Sequence, residues 1–166
     1  MHYLPEDVLA QLIGQPLAII GRSATMVWCG FGLERQATLM SGKPRTVNEW
    51  ALHLQCPWTI THSGAKVIDW ESMFVDAETG VECDGATRRG TLFDQWAESL
   101  GAQSDLLGSA VIGSSGGGSR IYLDLQNGWR FVLEIDPDQG SEQWRLFRAG
   151  TEQSHFVAYS SGVEAE

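Results

Sequence analysis

The sequence predicts an α+β fold: a mainly antiparallel β-sheet, a meander of about 7–9 strands forming a curved sheet or a partly open barrel, with two short helices. Three observations predict it. Across residues 50–62, large apolar residues on the even positions through Ile60 alternate with smaller or polar ones. The last third of the chain is a run of short alternating segments broken by turn residues. Helical spacing of apolar residues appears only twice, each time briefly. A chain of 166 residues with 43% hydrophobic content fits a single domain, 1–166. A chain of that size buries roughly 68–70% of its unfolded surface.

In chain order, Pro5 opens a helical pattern with Val8, Leu9, Leu12 and Ile13 on one face, and Gly14 is its stop, giving a helix over 5–13 that docks on the sheet. Strands follow at 17–22 and 25–32, punctuated by Gly21, Gly30 and Gly32, whose positions suit bulges or close backbone approach. Residues 34–47 read as a loop or a distorted edge. In the stretch from Trp50 to His62, the even set Trp50, Leu52, Leu54, Cys56, Trp58 and Ile60 faces the core, because side chains alternate across a strand. Pro57 cannot donate to a ladder, so it marks an edge, a bulge or a bend between two shorter strands.

A further apolar segment, 65–75, leads into an acidic loop through Gly85. Thr91 then caps a second helix over 92–100, with Leu92, Trp96 and Leu100 spaced four apart. The meander follows: a strand at 107–112, a glycine-serine loop from Gly113 to Ser119, and strands at 120–125, 129–135, 143–148 and 155–159. A frayed tail, 162–166, closes the chain. The odd positions Ile121, Leu123, Leu125, Trp129, Phe131 and Leu133 are apolar. Cross-strand partners share a face, so Leu123 must oppose Phe131. That register needs a three-residue loop and a type I turn with Gly128 as a G1 bulge, against the two-residue turn usual for Asn-Gly.

The charge balance is 21 acids against 11 bases, a net charge of −10 with four histidines neutral. Such a surface repels nucleic acid and anionic membranes and attracts a basic protein; acidity also serves plain solubility. The three cysteines, Cys29, Cys56 and Cys83, are odd in number and lack a C-x-x-C, which points to reduced thiols and a cytoplasmic setting. No secretory signal is visible at the start, and the run Leu17–Ile20 is too short to span a bilayer.

Several motifs resemble chemistry in letters only. Gly113-Ser114-Ser115-Gly116-Gly117 matches G-x-S-x-G, with Asp136 and His155 following in hydrolase order, so a hydrolase using Ser115 and His155 is the third functional reading. The mechanism needs a strand-to-helix elbow, whereas a strand follows here. Gly113 to Ser119 has Walker-like spacing but serine where a lysine must reach the phosphates. His53 and Cys56 have opposite strand parity and cannot share a metal, and His62 lies about 20 Å from Cys56 along an unbroken strand. Asp136, Asp138 and Glu142 flank a turn glycine without the length of an EF-hand loop. No catalytic residue, metal or cofactor is therefore expected, and the chain reads as a non-enzyme.

Most of the seven tryptophans (28, 50, 58, 70, 96, 129 and 144) fit core-facing positions. Trp70 is the exception, within Asp69-Trp70-Glu71. Between Lys66 and Arg88 stand six acids (Asp69, Glu71, Asp76, Glu78, Glu82, Asp84) and no base. An aromatic within an acidic surface is a candidate interface, the tryptophan anchoring and the charges steering, although a solvated loop has the same composition.

The segments Glu49–Trp58, Glu142–Phe147 and His155-Phe156-Val157 resemble a group of small bacterial proteins of unassigned function, from about Leu12 to Val157. The resemblance implies a bacterial origin and supplies no catalytic residues. Small acidic α+β proteins of this type are similar to immunity proteins of bacterial toxin systems. The leading expectation is thus an acidic protein-binding module, with an immunity protein that occludes the active site of a basic toxin as its specific form. The alternative is a small-molecule-binding or regulatory domain with a pocket at the open side of the sheet, near His53, Gln55 and Thr59.

Overall fold

Two antiparallel sheets face each other across one core, and the chain passes from the first to the second at Pro57. The computed structural model describes residues 2–166. Helix α1 (Pro5–Leu9) continues into a 3-10 turn, Ala10–Leu12, and the chain turns away at Gly14, whose φ of 88° favours glycine. Val8, Leu9 and Leu12 are buried as the periodicity required, while Ile13 is left exposed.

Strands β1 (Leu17–Ser23), β2 (Met26–Thr38) and β3 (Pro44–Leu54) follow as consecutive neighbours. The loop expected over 34–47 is instead a ladder running from Glu34↔Asn48 to Thr38↔Pro44. An irregularity between Phe31 and Glu34, where Gly32 has φ 83°, shifts the alternation there. Beyond it the paired side chains are mostly polar on both faces, so no apolar period marked the strands.

The Pro57 corner separates β3 from β4 (Trp58–His62), and each lies in a different sheet. Leu52, Leu54, Cys56, Trp58 and Ile60 nevertheless all point into one core, because both sheets present their inner faces to it. The backbone amides of Gln55 and Cys56 both donate to the Gln143 carbonyl, and Glu134 donates to that of Pro57, so the corner is tied on both sides. Next come β5 (Ala65–Asp69), a 3-10 turn at Trp70–Phe74, and helix α2 (Leu92–Gln103). Thr91 caps α2 as expected, in a reciprocal capping box with Asp94. Its buried residues are Phe93 and Leu100, with Trp96 and Ala97 packed beside them; Leu92 faces solvent.

Strand β6 (Val111–Gly117) takes in most of the glycine-serine stretch read as a loop, and the expected strand at 107–112 starts later. Pairing with β7 (Arg120–Leu125) overrides the low strand propensity of Gly113 to Gly117. Between β7 and β8 (Trp129–Glu134) the register is as expected, with Leu123 opposite Phe131. The turn is not the expected type I: Asn127 (φ 63°, ψ 22°) and Gly128 (φ 79°) are both left-handed. Asn-Gly keeps its intrinsic preference, and the extra residue is absorbed between this turn and the Asp124↔Arg130 pair.

Strands β9 (Trp144–Arg148), β10 (Phe156–Tyr159) and β11 (Gly162–Ala165) complete the first sheet. The tail expected to fray is β11, paired from Phe156↔Ala165 to Tyr159↔Gly162, with Val163 fully buried. The fold is therefore α+β with eleven strands among the described residues, more than expected. They form a six-stranded sheet, β1-β2-β3-β9-β10-β11, and a five-stranded one, β5-β4-β8-β7-β6, not closed into a barrel. Only Trp58, Trp129 and Trp144 of the tryptophans are buried; the other four are partly exposed. Among the described residues no helix is long and apolar enough to cross a membrane.

Candidate functional site

Two regions stand out once the fold is in place. The first is the acidic segment between β5 and α2, an irregular backbone pinned by two arginines. Arg22, on β1 and only 8% exposed, pairs through both Nε and Nη2 with the Asp94 carboxylate at 2.7 and 2.8 Å. It also donates to the carbonyls of Ala24, Gly85 and Arg88. Asp76, 5% exposed, accepts from the amides of Glu78 and Thr79, from the Thr79 hydroxyl and from Arg88. Those donors, the Thr79 amide foremost, hold its carboxyl at about 2. Arg22 holds Asp94 lower still.

The expected interface residues are thereby sorted. Asp76 is an internal hub, not a steering charge. Asp69 pairs with Lys66 at 2.9 Å. Asp84 accepts from the Ala86 amide and the Thr87 hydroxyl but remains exposed. Trp70 packs on the core and meets Phe74 edge-on at 5.8 Å, so it does not stand out as an anchor. Glu71, Glu78 and Glu82 are exposed and carry no salt bridge among the described residues, and Val81 stands between them, 62% exposed. Strand parity gave no hint of the clamp, since its two arginines come from β1 and from the far end of the acidic run.

The second region is the outer face of the six-stranded sheet, where Trp28, His53 and Phe147 line a concavity of about 640 Å³; Trp50, paired with Phe31, keeps the core-facing parity expected of it and packs on the core at the sheet's end. The β2–β3 arm walls it with Ala37, Leu39 and Arg45. Of the three residues expected to border a pocket, only His53 does. Gln55 lies at the corner, and Thr59 is in the other sheet. Burial lowers the His53 pKa, against the pull of Glu142. One signal for this face was in the sequence: Met26 and Trp28 are apolar on the parity opposite to Val27, Cys29 and Phe31, so β2 offers apolar groups to both faces.

The reactive constellations do not assemble. Ser115 is on the edge strand β6, opposite Tyr122. His155 precedes β10 in the other sheet, where its Nδ1 accepts from Arg145 at 3.0 Å and its ring stacks on Phe147. Asp136 accepts from the Asp138 amide. No group of three or more His, Cys, Asp or Glu fit to hold a metal exists among the described residues. Cys29 and Cys56 are buried, and burial pushes the Cys56 thiol up to about 12, out of the range of a nucleophile. No family model, curated protein or solved structure matches the chain.

Proposed function

We propose that the chain is an acidic binding module that grips a basic protein, in the manner of an immunity protein covering the positively charged groove of a bacterial toxin. The observation that carries the reading is the rigidity of the acidic segment. Glu78, Glu82 and Asp84 are exposed on a segment whose backbone is tied down by Arg22, Asp76 and Arg88, and Glu71 is exposed on the 3-10 turn that leads into it. A charged surface ordered before encounter loses little conformational entropy on binding. Its field, set within a net charge of −10, accelerates association with a cationic partner. Val81, 62% exposed, rather than Trp70, is the apolar contact the segment offers.

The test uses the whole chain and the triple variant Glu71→Lys, Glu78→Lys, Glu82→Lys, each as bait in lysate of the native cell. The proposal expects a basic protein on the wild-type bait. Its association rate with the variant should fall about tenfold or more at low salt and lose most of its salt dependence. Equal rates and salt slopes, or no basic protein on the wild-type bait, would sink the reading.

A further inference from the structure

We propose that the concavity on the outer face of the six-stranded sheet is a binding site for an uncharged, planar heteroaromatic compound. The inference is independent of the acidic segment, whose exposed carboxylates lie outside the lining of this concavity.

The floor is built to present ring faces. Trp28 is the cross-strand partner of Gly21 on one side and of His53 on the other. A Cβ at Gly21 would lie 2.5 Å from Cζ2 and 2.9 Å from both Cε2 and Cη2 of Trp28, so the indole lies flat over the glycine. One face of that ring is covered by backbone, and the other borders the concavity. Gly30 does the same for a polar group: a Cβ there would lie 2.4 Å from Oδ1 of Asn48 and 2.8 Å from Ile19 Cγ2. Phe147 stands edge-on to His53 at 4.9 Å and continues the aromatic floor onto β9. A volume of about 640 Å³ lies within the range of roughly 300–1,000 Å³ that takes a small organic ligand.

Charge selects among such ligands. The chain as a whole is strongly acidic, yet Glu34 and Arg45 are the acid and the base lining this concavity and offset each other. Burial lowers the His53 pKa and so favours the neutral ring, which has one N–H to donate and one nitrogen to accept. Neither nitrogen has a hydrogen-bond partner among the described residues. A ring with its own donor and acceptor satisfies that edge while stacking on Trp28; a full charge meets no net counter-charge.

Indole is the probe, titrated into the full ¹⁵N-labelled chain at neutral pH, with tryptamine and indole-3-acetate as cationic and anionic counterparts. Saturable shifts at the Trp28 indole N–H signal and at the His53 and Phe147 amides are expected, with indole binding more tightly than either charged analogue. Trp28→Ala should weaken indole about five- to tenfold, and His53→Ala reads the same site should the first variant not fold. Glu71→Lys, Glu78→Lys, Glu82→Lys should leave indole binding unchanged, which separates this site from the proposed protein interface. Absent or non-saturable shifts, shifts confined to Trp70 and Trp96, tighter binding of a charged analogue, or unchanged affinity in both floor variants would overturn the proposal.

Discussion

Between Asp69 and Thr91 an irregular backbone is held in one shape by a few polar side chains, Arg22, Asp76 and Arg88, whose hydrogen-bonding groups are used internally. On the outer face of the six-stranded sheet the backbone is regular, and polar edges such as His53 lack partners there. In the first region hydrogen bonds supply order that secondary structure does not: Arg22 and Asp76 together engage most of the loop's turns. In the second, the ladder supplies order and leaves Trp28 and His53 on the open face, with Phe147 beside them stacked on His155. The contrast shows that order and availability are separate properties. A charged residue in an acidic loop can be structural, as Asp76 is, while an apolar residue in a strand can be the one left over for binding.

The comparison breaks most sharply at Arg22. Arg22→Met keeps bulk but leaves three carbonyls without this donor and Asp94 with only the Thr91 amide and hydroxyl, and removing one partner of a buried pair costs about 3–5 kcal/mol. Chemical denaturation should show that loss, and amide exchange should show residues 76–91 losing protection while the six-stranded sheet keeps its own. A loss under about 1 kcal/mol would mean that the segment is held by something other than this clamp.

A smaller effect is expected on the other side of the comparison. Gly21→Val drives a side chain into the Trp28 ring, and such overpacking costs about 1–3 kcal/mol. Trp28 should lift away from the sheet, with a red shift of tryptophan fluorescence and loss of the indole response, while the acidic segment stays protected from exchange. Unchanged fluorescence would show that the indole does not depend on the glycine beneath it.

The smallest effect is in pH. Asp76 and Asp94 have carboxyl pKa values lowered in the folded state, so the unfolded chain takes up protons first as pH falls. Their stabilisation is complete above the ordinary carboxyl pKa of about 4 and is lost as pH falls toward about 2. Thermal melts should therefore be insensitive to these groups from pH 7 to about 5 and decline below about 4. Asp76→Asn should start from a lower melting temperature and show a shallower decline. An equally steep decline in that variant would assign the acid sensitivity elsewhere.

The fold was legible where one face of a strand or helix met the core. The even residues from Leu52 to Ile60 and the odd residues from Ile121 to Leu133 point inward as their alternation requires, and that alone set the hairpin register at Leu123 and Phe131. It failed where a strand buries little of itself and is ordered by its neighbours. The arm at 34–48 has no apolar period, the glycine-serine stretch of β6 is a strand only because β7 lies beside it, and β11 is ordered by its pairing with β10 and the burial of Val163. Of the acidic residues singled out in the sequence, Glu71, Glu78, Glu82 and Asp84 are exposed, Asp76 is buried, Asp69 is paired and Trp70 is turned to the core.

The sequence by itself determined most of the side chains that leave water in the regular strands and helices, because the period of a strand or helix is a local property of the backbone. It also determined the sign of the surface field. Only the tertiary structure decided which charges are neutralised and which aromatic rings are left uncovered. Arg22 reaches Asp94 across 72 positions of sequence, and the concavity exists only where β1, β2, β3 and β9 lie side by side. Contacts of that range follow from how the sheets are ordered, and strand order is set by the packing of the whole core rather than by any one segment.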